Sequence, residues 1–231
     1  MIPWLTDSIV FPAVELSLRE PNGLLAAGGD LSAPRLLEAY RHGIFPWFNP
    51  EEPILWWNPD PRMVLFPNEF IVSHSLRKVL RRGTYEIRCD TAFEQVMLAC
   101  AAPRNNQSGT WIDNNMIAAY STLHRAGYAH SVETWLDGIL VGGLYGVSIG
   151  RMFYGESMFS TVSNASKIAL AHLAIQLERW QFGMIDCQMK TSHLSSLGAR
   201  EIARSEFIAK LQDLVHCEPI TCWQFDTDLF S

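Results

Sequence analysis

Two acidic residues stand in segments that are otherwise apolar enough to be buried. Glu156 lies between Phe153 and Met158, and about one helix length later Asp186 and Gln188 interrupt a second apolar segment. Burial of a carboxylate is costly unless the group is paired or hydrogen-bonded, so each position needs an explanation. The chemical explanation is a site that orients a polar group or transfers a proton. The structural alternative is that Glu156 caps a loop and Asp186 pairs with a core Arg or Lys, and the residues alone leave both open.

Asp186 and Gln188 are two residues apart in an expected strand. Side chains at positions i and i+2 leave the same face of a strand, while the side chain of Cys187 between them points to the other face. We therefore expect Asp186 and Gln188 to present two neighbouring hydrogen-bonding groups on one side of a sheet.

Tryptophan is unusually frequent, with eight copies in 231 residues. Four copies lie beside Pro, Gly, Asn or Asp in segments typical of loops: Trp47, Trp56, Trp57 and Trp111. Large aromatic rings in loops more often close the edge of a core, but a cluster of them also stacks on a nucleic-acid base or lines an apolar pocket. Composition favours the first interpretation and keeps the second open.

Four cations are concentrated in segment 73–83, which is predicted to be a helix closed by a glycine. Arg77, Lys78, Arg81 and Arg82 share much of one side of this helix. A solvated helix face is the usual outcome, and the alternative is a surface that contacts phosphates. Because the net charge of the chain is −6, general binding to nucleic acid is not expected, and any such surface has to be local.

The composition is that of a globular protein, with 48% hydrophobic residues and enough length for one large domain or two small ones. No run approaches the roughly 18 apolar residues of a membrane span, and the N-terminus lacks the pattern of a signal peptide. We therefore expect a cytoplasmic protein without membrane contact. The five cysteines are odd in number and form no CxxC pair, so neither disulfides nor a zinc site is predicted.

Periodicity and turn signals predict an α+β fold, in which one sheet is covered by helices. Residues 1–29 suit loops and edge strands, and Asp137-Gly138 predicts a β-hairpin. Helices are expected between residues 32 and 43, 73 and 83, 93 and 100, 113 and 127, 164 and 180, and 206 and 215. Strands are expected near 63–66, 86–88, 141–147, 151–156 and 183–188. The prolines at 59 and 61 predict a division into a small N-terminal domain, 1–62, and a larger domain, 63–231.

Eight segments occur in order along nearly the whole chain: 20–25 (EPNGLL), 28–31 (GGDL), 43–48 (GIFPWF), 55–62 (LWWNPDPR), 109–112 (GTWI), 154–160 (YGESMFS), 164–167 (NASK) and 185–188 (IDCQ). By these segments the chain resembles the leucyl/phenylalanyl-tRNA–protein transferases of bacteria. The resemblance implies transfer of Leu or Phe, and less readily Met, from aminoacyl-tRNA to the N-terminal Arg or Lys of an acceptor protein. The product would carry a destabilising N-terminus for N-end-rule degradation.

The resemblance also implies the architecture and the partners. The larger domain is expected to have an acetyltransferase-like fold, a mixed sheet flanked by helices, beside a small N-terminal α/β domain. The pyrophosphate-binding segment of acetyl-CoA enzymes is absent after Gly146, so acetyl-CoA binding is not implied. No cofactor and no metal are expected. The protein would act as a monomer on aminoacyl-tRNA and an acceptor protein.

The site residues that the resemblance implies fall into four groups. Asp186 and Gln188 would orient and deprotonate the attacking amine, and Glu156 would hold or place the aminoacyl ammonium group. The apolar slot for the amino-acid side chain would be formed by Phe153, Met158 and Ile185, with Leu144 and Leu170 as further candidates. Trp47 and Trp111 would stack on the terminal adenosine of the tRNA. The acceptor-stem phosphates would be contacted by the basic side chains at 77, 78, 81 and 82.

Two other functions are compatible with parts of the sequence. One is an acyl-CoA-dependent N-acetyltransferase, which the absent pyrophosphate segment disfavours. The other is an adaptor that only binds basic N-termini, which would leave the polar residues Asp186 and Gln188 unexplained. Motifs of nucleotide hydrolysis, dinucleotide binding and serine hydrolysis are absent in any usable context. His193 is interpreted as a loop or packing histidine.

Overall fold

A computed structural model describes residues 2–102 and 112–230 of the chain. The strands are β1 (Trp4–Leu5), β2 (Leu24–Gly28), β3 (Phe45–Pro46), β4 (Leu55–Trp57), β5 (Arg62–Leu65), β6 (Glu86–Cys89), β7 (Ala129–Leu136), β8 (Ile139–Ile149), β9 (Met152–Ser160), β10 (Met184–Gln188) and β11 (Arg200–Ile202). The helices are α1 (Ala33–Arg41), α2 (His74–Arg82), α3 (Phe93–Ala101), α4 (Asn114–Arg125), α5 (Ala165–Arg179), α6 (Ser192–Ser195) and α7 (Arg204–Val215).

Local capping explains where several helices begin and end. The hydroxyl of Ser73 accepts a hydrogen bond from the backbone N–H of Leu76 at the start of α2, and Gly83 ends that helix with a φ of 59°. At the start of α4, the carboxylate of Asp113 accepts from the backbone N–H of Met116 at 2.8 Å. These predicted helices are confirmed.

The strands form two sheets. The first has the order β1-β2-β4-β3, and the second has the order β11-β5-β10-β9-β8-β7-β6. In the second sheet β9 and β10 are parallel neighbours joined through α5, while the other neighbouring strands are antiparallel. Helix α5 packs with Leu144 on one face of this sheet, and α3 and α4 pack with Tyr145 on the other. The α+β class and the mixed, helix-flanked sheet are confirmed.

Glycines shape the central hairpin of the second sheet. Asp137 and Gly138 both have positive φ, 51° and 77°, as a two-residue hairpin turn between β7 and β8 requires. A close backbone approach occurs at Gly146, where a Cβ atom would lie 2.2 Å from the carbonyl oxygen of Tyr154 and 2.6 Å from the ring of Phe153. A side chain at position 146 would therefore displace a ring that lies beside the cavity described below.

One apolar cluster connects the two sheets. It includes Leu36 of α1 and Trp56 of β4 together with Phe93 of α3 and Tyr154 of β9. The indole of Trp56 is fully buried and donates to the carbonyl oxygen of Gly28 at 2.9 Å, so this tryptophan is a core residue. The division at residue 62 stays a prediction, although the chain does pass from the first sheet to the second between β4 and β5.

Some elements differ from the expectation. Strand β2 is buried along its whole length in the middle of a sheet, not at an edge, and β9 extends to Ser160 because it pairs with β8 over its full length. The short elements α6 and β11 were not predicted. None of the helices within the described ranges is long and apolar enough to cross a lipid bilayer.

Candidate active site

A cavity of ≈ 1300 Å³ opens beside β8, β9, β10 and α5. Its lining includes six of the residues proposed from the sequence for substrate binding: Trp47, Leu144, Phe153, Met158, Leu170 and Ile185. Glu156 and Gln188 line the same cavity. Trp111, the remaining candidate for substrate binding, lies outside the described residues.

The apolar wall follows from strand register. Leu144 lies opposite Met158 in the β8–β9 pair, and Phe153 lies opposite Ile185 in the β9–β10 pair. Residues that face each other across neighbouring strands project to the same side of a sheet, and since both pairs line the cavity, the four side chains form a continuous surface. Leu170 of α5 covers it. The result is a slot with apolar walls.

Glu156 is the centre of a hydrogen-bonded group at the polar side of the cavity. The hydroxyl of Tyr40 donates to its Oε1 at 2.8 Å, and the hydroxyl of Tyr120 donates to its Oε2 at 3.2 Å. The amide Nε2 of Gln188 also donates to Oε1, at 3.1 Å. The hydroxyls of Tyr40 and Tyr120 also lie within hydrogen-bonding distance of each other, and since each has one proton, all three contacts can be hydrogen bonds at once only when Glu156 is itself protonated. Two helices and two strands thus contribute to holding one carboxylate.

Burial raises the pKa of Glu156 to about 7. The hydrogen bonds from Tyr40 and Tyr120 act in the opposite direction, and the nearby charge of Asp186 adds to the rise. Since this pKa lies close to neutrality, the carboxyl group can accept or release a proton under ordinary conditions.

Asp186 is placed differently from the expectation and does not line the cavity. Its side chain is buried and forms a paired ion contact with Arg62, with Nε to Oδ1 at 2.8 Å and Nη2 to Oδ2 at 2.7 Å. This is the pairing with a core arginine that the structural alternative predicted. The expected shared face of Asp186 and Gln188 is therefore corrected.

A bulge in β10 explains the difference. Asp186 lies opposite Val64, but Gln188 lies opposite the very next residue, Met63, so Cys187 is an extra residue in the ladder. Gln188 also has a positive φ of 63°. The alternation of faces breaks at this point, and Ile185, Cys187 and Gln188 all line the cavity while Asp186 lies behind it.

The mouth of the cavity carries Trp47. Its side chain is 39% exposed and packs edge-to-face against Trp57, with ring centroids 5.6 Å apart. The indole of Trp57 donates to the carbonyl oxygen of Trp47 at 2.6 Å, which fixes the backbone that presents the exposed ring. An exposed aromatic ring at the mouth is available for stacking.

Comparison with known proteins decides the family. Residues 64–212 match the family model for the leucyl/phenylalanyl-tRNA protein transferase, and residues 29–60 match the model for its N-terminal domain. A leucyl/phenylalanyl-tRNA–protein transferase of Nitrosospira multiformis is 66% identical over 227 residues, covering 98% of each chain. The chain belongs to the leucyl/phenylalanyl-tRNA protein transferase family. It is a transferase enzyme.

A second relative is also similar over most of its length. The transferase of Nitrosomonas europaea is 65% identical over 214 residues, covering 93% of this chain and 91% of its own. Among solved structures, a GCN5-related N-acetyltransferase from Kribbella flavida is similar with a TM-score of 0.34 and 11% sequence identity. That similarity covers 72% of this chain and 60% of the other.

The charged side chains of α2 do not line the cavity. Arg77, Lys78, Arg81 and Arg82 are exposed, because α2 turns Leu76 and Leu80 inward against α5. Their part in contacts with tRNA stays a prediction.

Several residues in and around the cavity were not proposed from the sequence. Tyr40 and Tyr120 contact Glu156 without lining the cavity, and a buried tyrosine needs a partner for its hydroxyl, which was a usable signal. Tyr145 does line the cavity, and its hydroxyl has no hydrogen-bond partner among the described residues. His193 lines the cavity too, and burial together with the charge of Lys167 lowers its pKa.

The described residues show neither an activated thiol in the cavity nor a metal-binding cluster. Cys100 and Cys187 line the cavity, but burial raises the pKa of the Cys187 thiol, which disfavours the nucleophilic thiolate. Residues 2–102 and 112–230 contain no group of three or more His, Cys, Asp or Glu side chains arranged to hold a metal ion.

Proposed function

We propose that this enzyme transfers leucine or phenylalanine, and less readily methionine, from aminoacyl-tRNA to the N-terminal Arg or Lys of an acceptor protein. The reaction would take place in the cytoplasm, with the enzyme as a monomer, and would mark the acceptor for N-end-rule degradation. The observation that carries the proposal is one cavity with an apolar slot beside the hydrogen-bonded pair Glu156 and Gln188. Family membership supports the coarser statement, aminoacyl transfer from tRNA to protein.

The slot accounts for the choice of amino acid. Phe153, Ile185 and Leu144 offer no partner for a polar side chain, so polar amino acids would lose their hydration without compensation. Met158 is flexible and polarizable, which suits a slot that accepts both branched and aromatic side chains. One methylene group is worth only about 1–3 kcal/mol of discrimination, so incomplete rejection of methionine is expected.

The reaction requires alignment more than strong base catalysis. The attacking nitrogen forms a bond to the ester carbonyl carbon, the bond to the tRNA ribose oxygen breaks, and one proton passes from the amine to the leaving oxygen. An α-amine has a pKa of about 7.7–8.0, so much of it is neutral near pH 8. Orientation can supply roughly 7–11 kcal/mol, and a modest proton acceptor about 10²–10⁴-fold in rate.

Gln188 and Glu156 are the groups that would contact the substrate amines. Because Nε2 of Gln188 donates to Glu156, its Oε1 is the end of the side chain that would accept a hydrogen bond from an amine. Glu156, with its pKa near 7, would hold an ammonium group or accept a proton. Asp186 would support the reaction by orienting Gln188 from behind the cavity, since its carboxylate accepts from the backbone N–H of Gln188 at 2.9 Å.

The tRNA end would be held outside the slot. Trp47, and Trp111 as expected from the sequence, would stack on the terminal adenosine, each stack contributing about 1–3 kcal/mol. The exposed cations of α2 would contact acceptor-stem phosphates.

The test is a transfer assay with radiolabelled leucyl-tRNA and a peptide that begins with arginine. We expect label in the peptide, and little label in a matched peptide that begins with glycine. Label that stays on the tRNA while the arginine peptide binds would indicate an adaptor, and turnover of acetyl-CoA would indicate an acetyltransferase. Asp186→Ala should reduce the transfer rate far more than the affinity for leucyl-tRNA, and equal losses in both would contradict a role in the reaction.

A further inference from the structure

Arg62 lies behind the cavity at the junction of the two sheets. We propose that Arg62 is a positioning residue for the transfer reaction: it fixes Asp186 and thereby the bulge that turns Gln188 into the cavity. The inference rests on the proposed function, because it concerns how Gln188 meets the amine.

The Arg62–Asp186 contact is geometrically constrained. Both side chains are 1% exposed, and two parallel hydrogen bonds of 2.8 and 2.7 Å join the guanidinium to the carboxylate. A planar guanidinium that binds both carboxylate oxygens fixes the orientation of the carboxylate as well as its position. Asp186 is therefore held in one orientation.

That orientation matters because one oxygen serves two donors. Oδ1 of Asp186 accepts from Nε of Arg62 at 2.8 Å and from the backbone N–H of Gln188 at 2.9 Å. Gln188 stands just after the extra residue of the bulge and has a φ of 63°, a conformation that a non-glycine residue adopts only where its surroundings stabilise it. The Asp186 carboxylate supplies that stabilisation, and the Gln188 side chain reaches Glu156 as a result.

Arg62 is itself held by the first sheet and by the C-terminal helix. Its Nη2 donates to the carbonyl oxygen of Gly43 at 2.9 Å. Its guanidinium lies between two rings, 4.8 Å from the centroid of Phe45 in β3 and 4.6 Å from the centroid of Phe207 in α7. The guanidinium therefore has little freedom to follow Asp186, and it sets the position of the carboxylate.

A purely structural ion pair would make a different prediction. Buried ion pairs can often be replaced by apolar residues of similar volume without loss of stability, so folding alone does not require Arg62 and Asp186. What apolar residues cannot provide is the acceptor for the N–H of Gln188. Transfer activity and stability should therefore separate when the pair is altered.

The first test is Arg62→Lys in the full-length protein, assayed with leucyl-tRNA and the arginine peptide. Lysine keeps the positive charge but cannot make the bidentate hydrogen bond to the Asp186 carboxylate. We expect kcat to fall roughly tenfold or more, because a small displacement of a reacting group is costly, while KM for leucyl-tRNA changes less than about twofold. Arg35→Lys is the matched control: Arg35 is also fully buried, but its partners are Thr6, Ser8 and Asp30, so kcat should be unchanged. Equal falls in kcat for both variants would overturn the proposal.

A double-mutant cycle tests whether Arg62 acts through Gln188. In a Gln188→Ala background, Arg62→Lys should change kcat less than about twofold, because the group that it positions is already gone. Multiplicative effects of the two substitutions would overturn the role of Arg62 while leaving transfer by the unsubstituted enzyme intact. Absence of transfer by the unsubstituted enzyme would instead overturn the proposed function itself.

If Arg62→Lys fails to fold, the pair replacement Arg62→Met with Asp186→Leu takes its place, because it leaves no unpaired buried charge. We expect a folded protein, by circular dichroism and thermal melting, whose kcat has fallen to the level of Gln188→Ala. A folded double variant with the kcat of the unsubstituted enzyme would overturn the proposal.

Discussion

The protonation of Glu156 links the stability of the protein to pH. Its pKa rises from 4.5 to about 7 on folding, chiefly because the carboxyl group is buried. Between these two values the folded state binds more protons than the unfolded state, so the free energy of unfolding decreases as pH rises. Below about pH 4.5 the contribution is fully present, and above about pH 7 it is lost.

Glu156→Gln should remove this part of the pH dependence. The amide resembles the protonated carboxyl, so the variant should be more stable than the unsubstituted protein at pH 8 but not at pH 4.5. The gain is up to about 3 kcal/mol, and less to the extent that water in the cavity screens the charge. Urea unfolding from pH 4.5 to 8 measures it, with Glu178→Gln at an exposed position as a control. A constant difference between Glu156→Gln and the unsubstituted protein across this range would contradict the assignment.

At single positions the sequence predicted the chemical character of the site better than the side of the sheet to which each side chain points. Phe153 and Ile185 do lie side by side and line the cavity, because strand register places them there, and their role as a slot for the substrate stays a prediction. Asp186 was assigned to the wrong face because the bulge depends on contacts with Arg62, which is 124 residues away in the chain. The hydrogen-bond partner of Tyr40, Glu156, is likewise distant, 116 residues away in the chain, so no local sequence pattern predicts this contact.

Helix α2 presents its cations to solvent because its two apolar residues face α5. Leu76 and Leu80 pack with Ile168 and Ala171, which leaves the basic side of the helix outward. The helix is thus built as an amphipathic surface element, and the charges remain available for a polyanion.

Replacing the four cations of α2 by glutamine should weaken binding of leucyl-tRNA and flatten its dependence on salt. The logarithm of the association constant decreases linearly with the logarithm of the salt concentration. For every phosphate that the helix no longer neutralises, this slope should become less steep by on the order of one, because fewer counterions are released. Filter binding between 50 and 200 mM salt, roughly, covers the useful range. The control replaces the exposed residues Arg19 and Arg125, which lie outside α2. An unchanged slope in the α2 variant would show that this helix is a solvated surface that does not contact the tRNA phosphates.

Elements with strong local signals were predicted and those without them were not. Caps and the Asp137-Gly138 turn determine α2, α4 and the β7–β8 hairpin within a few residues of chain. Strand β2 has no such signal, because Leu24–Gly28 is apolar throughout and shows no alternation. Only its position between β1 and β4 makes it a central strand. The same holds for β11, whose three residues depend on pairing with β5.

The candidate active site draws on both the first 62 residues and the second sheet. Tyr40 of α1 and Trp47 come from the first 62 residues, while Glu156 and Gln188 come from β9 and β10. The hydroxyl of Tyr154 also donates to the carbonyl oxygen of Tyr40 at 2.7 Å, which ties α1 to the second sheet. The N-terminal part of the chain is therefore a component of the candidate active site and not only its neighbour.

The apolar cluster that joins Trp56, Tyr40 and Tyr154 has a consequence for how the protein melts. Neither sheet can keep its buried surface once the other has opened, so heating should give a single calorimetric peak with equal calorimetric and van't Hoff enthalpies. Trp56→Ala, at a cost of roughly 3–5 kcal/mol, should lower that one melting temperature without splitting the peak, whereas two resolved peaks would contradict it. Heat damage that starts in the small sheet would then inactivate the whole enzyme at once and leave no folded remnant.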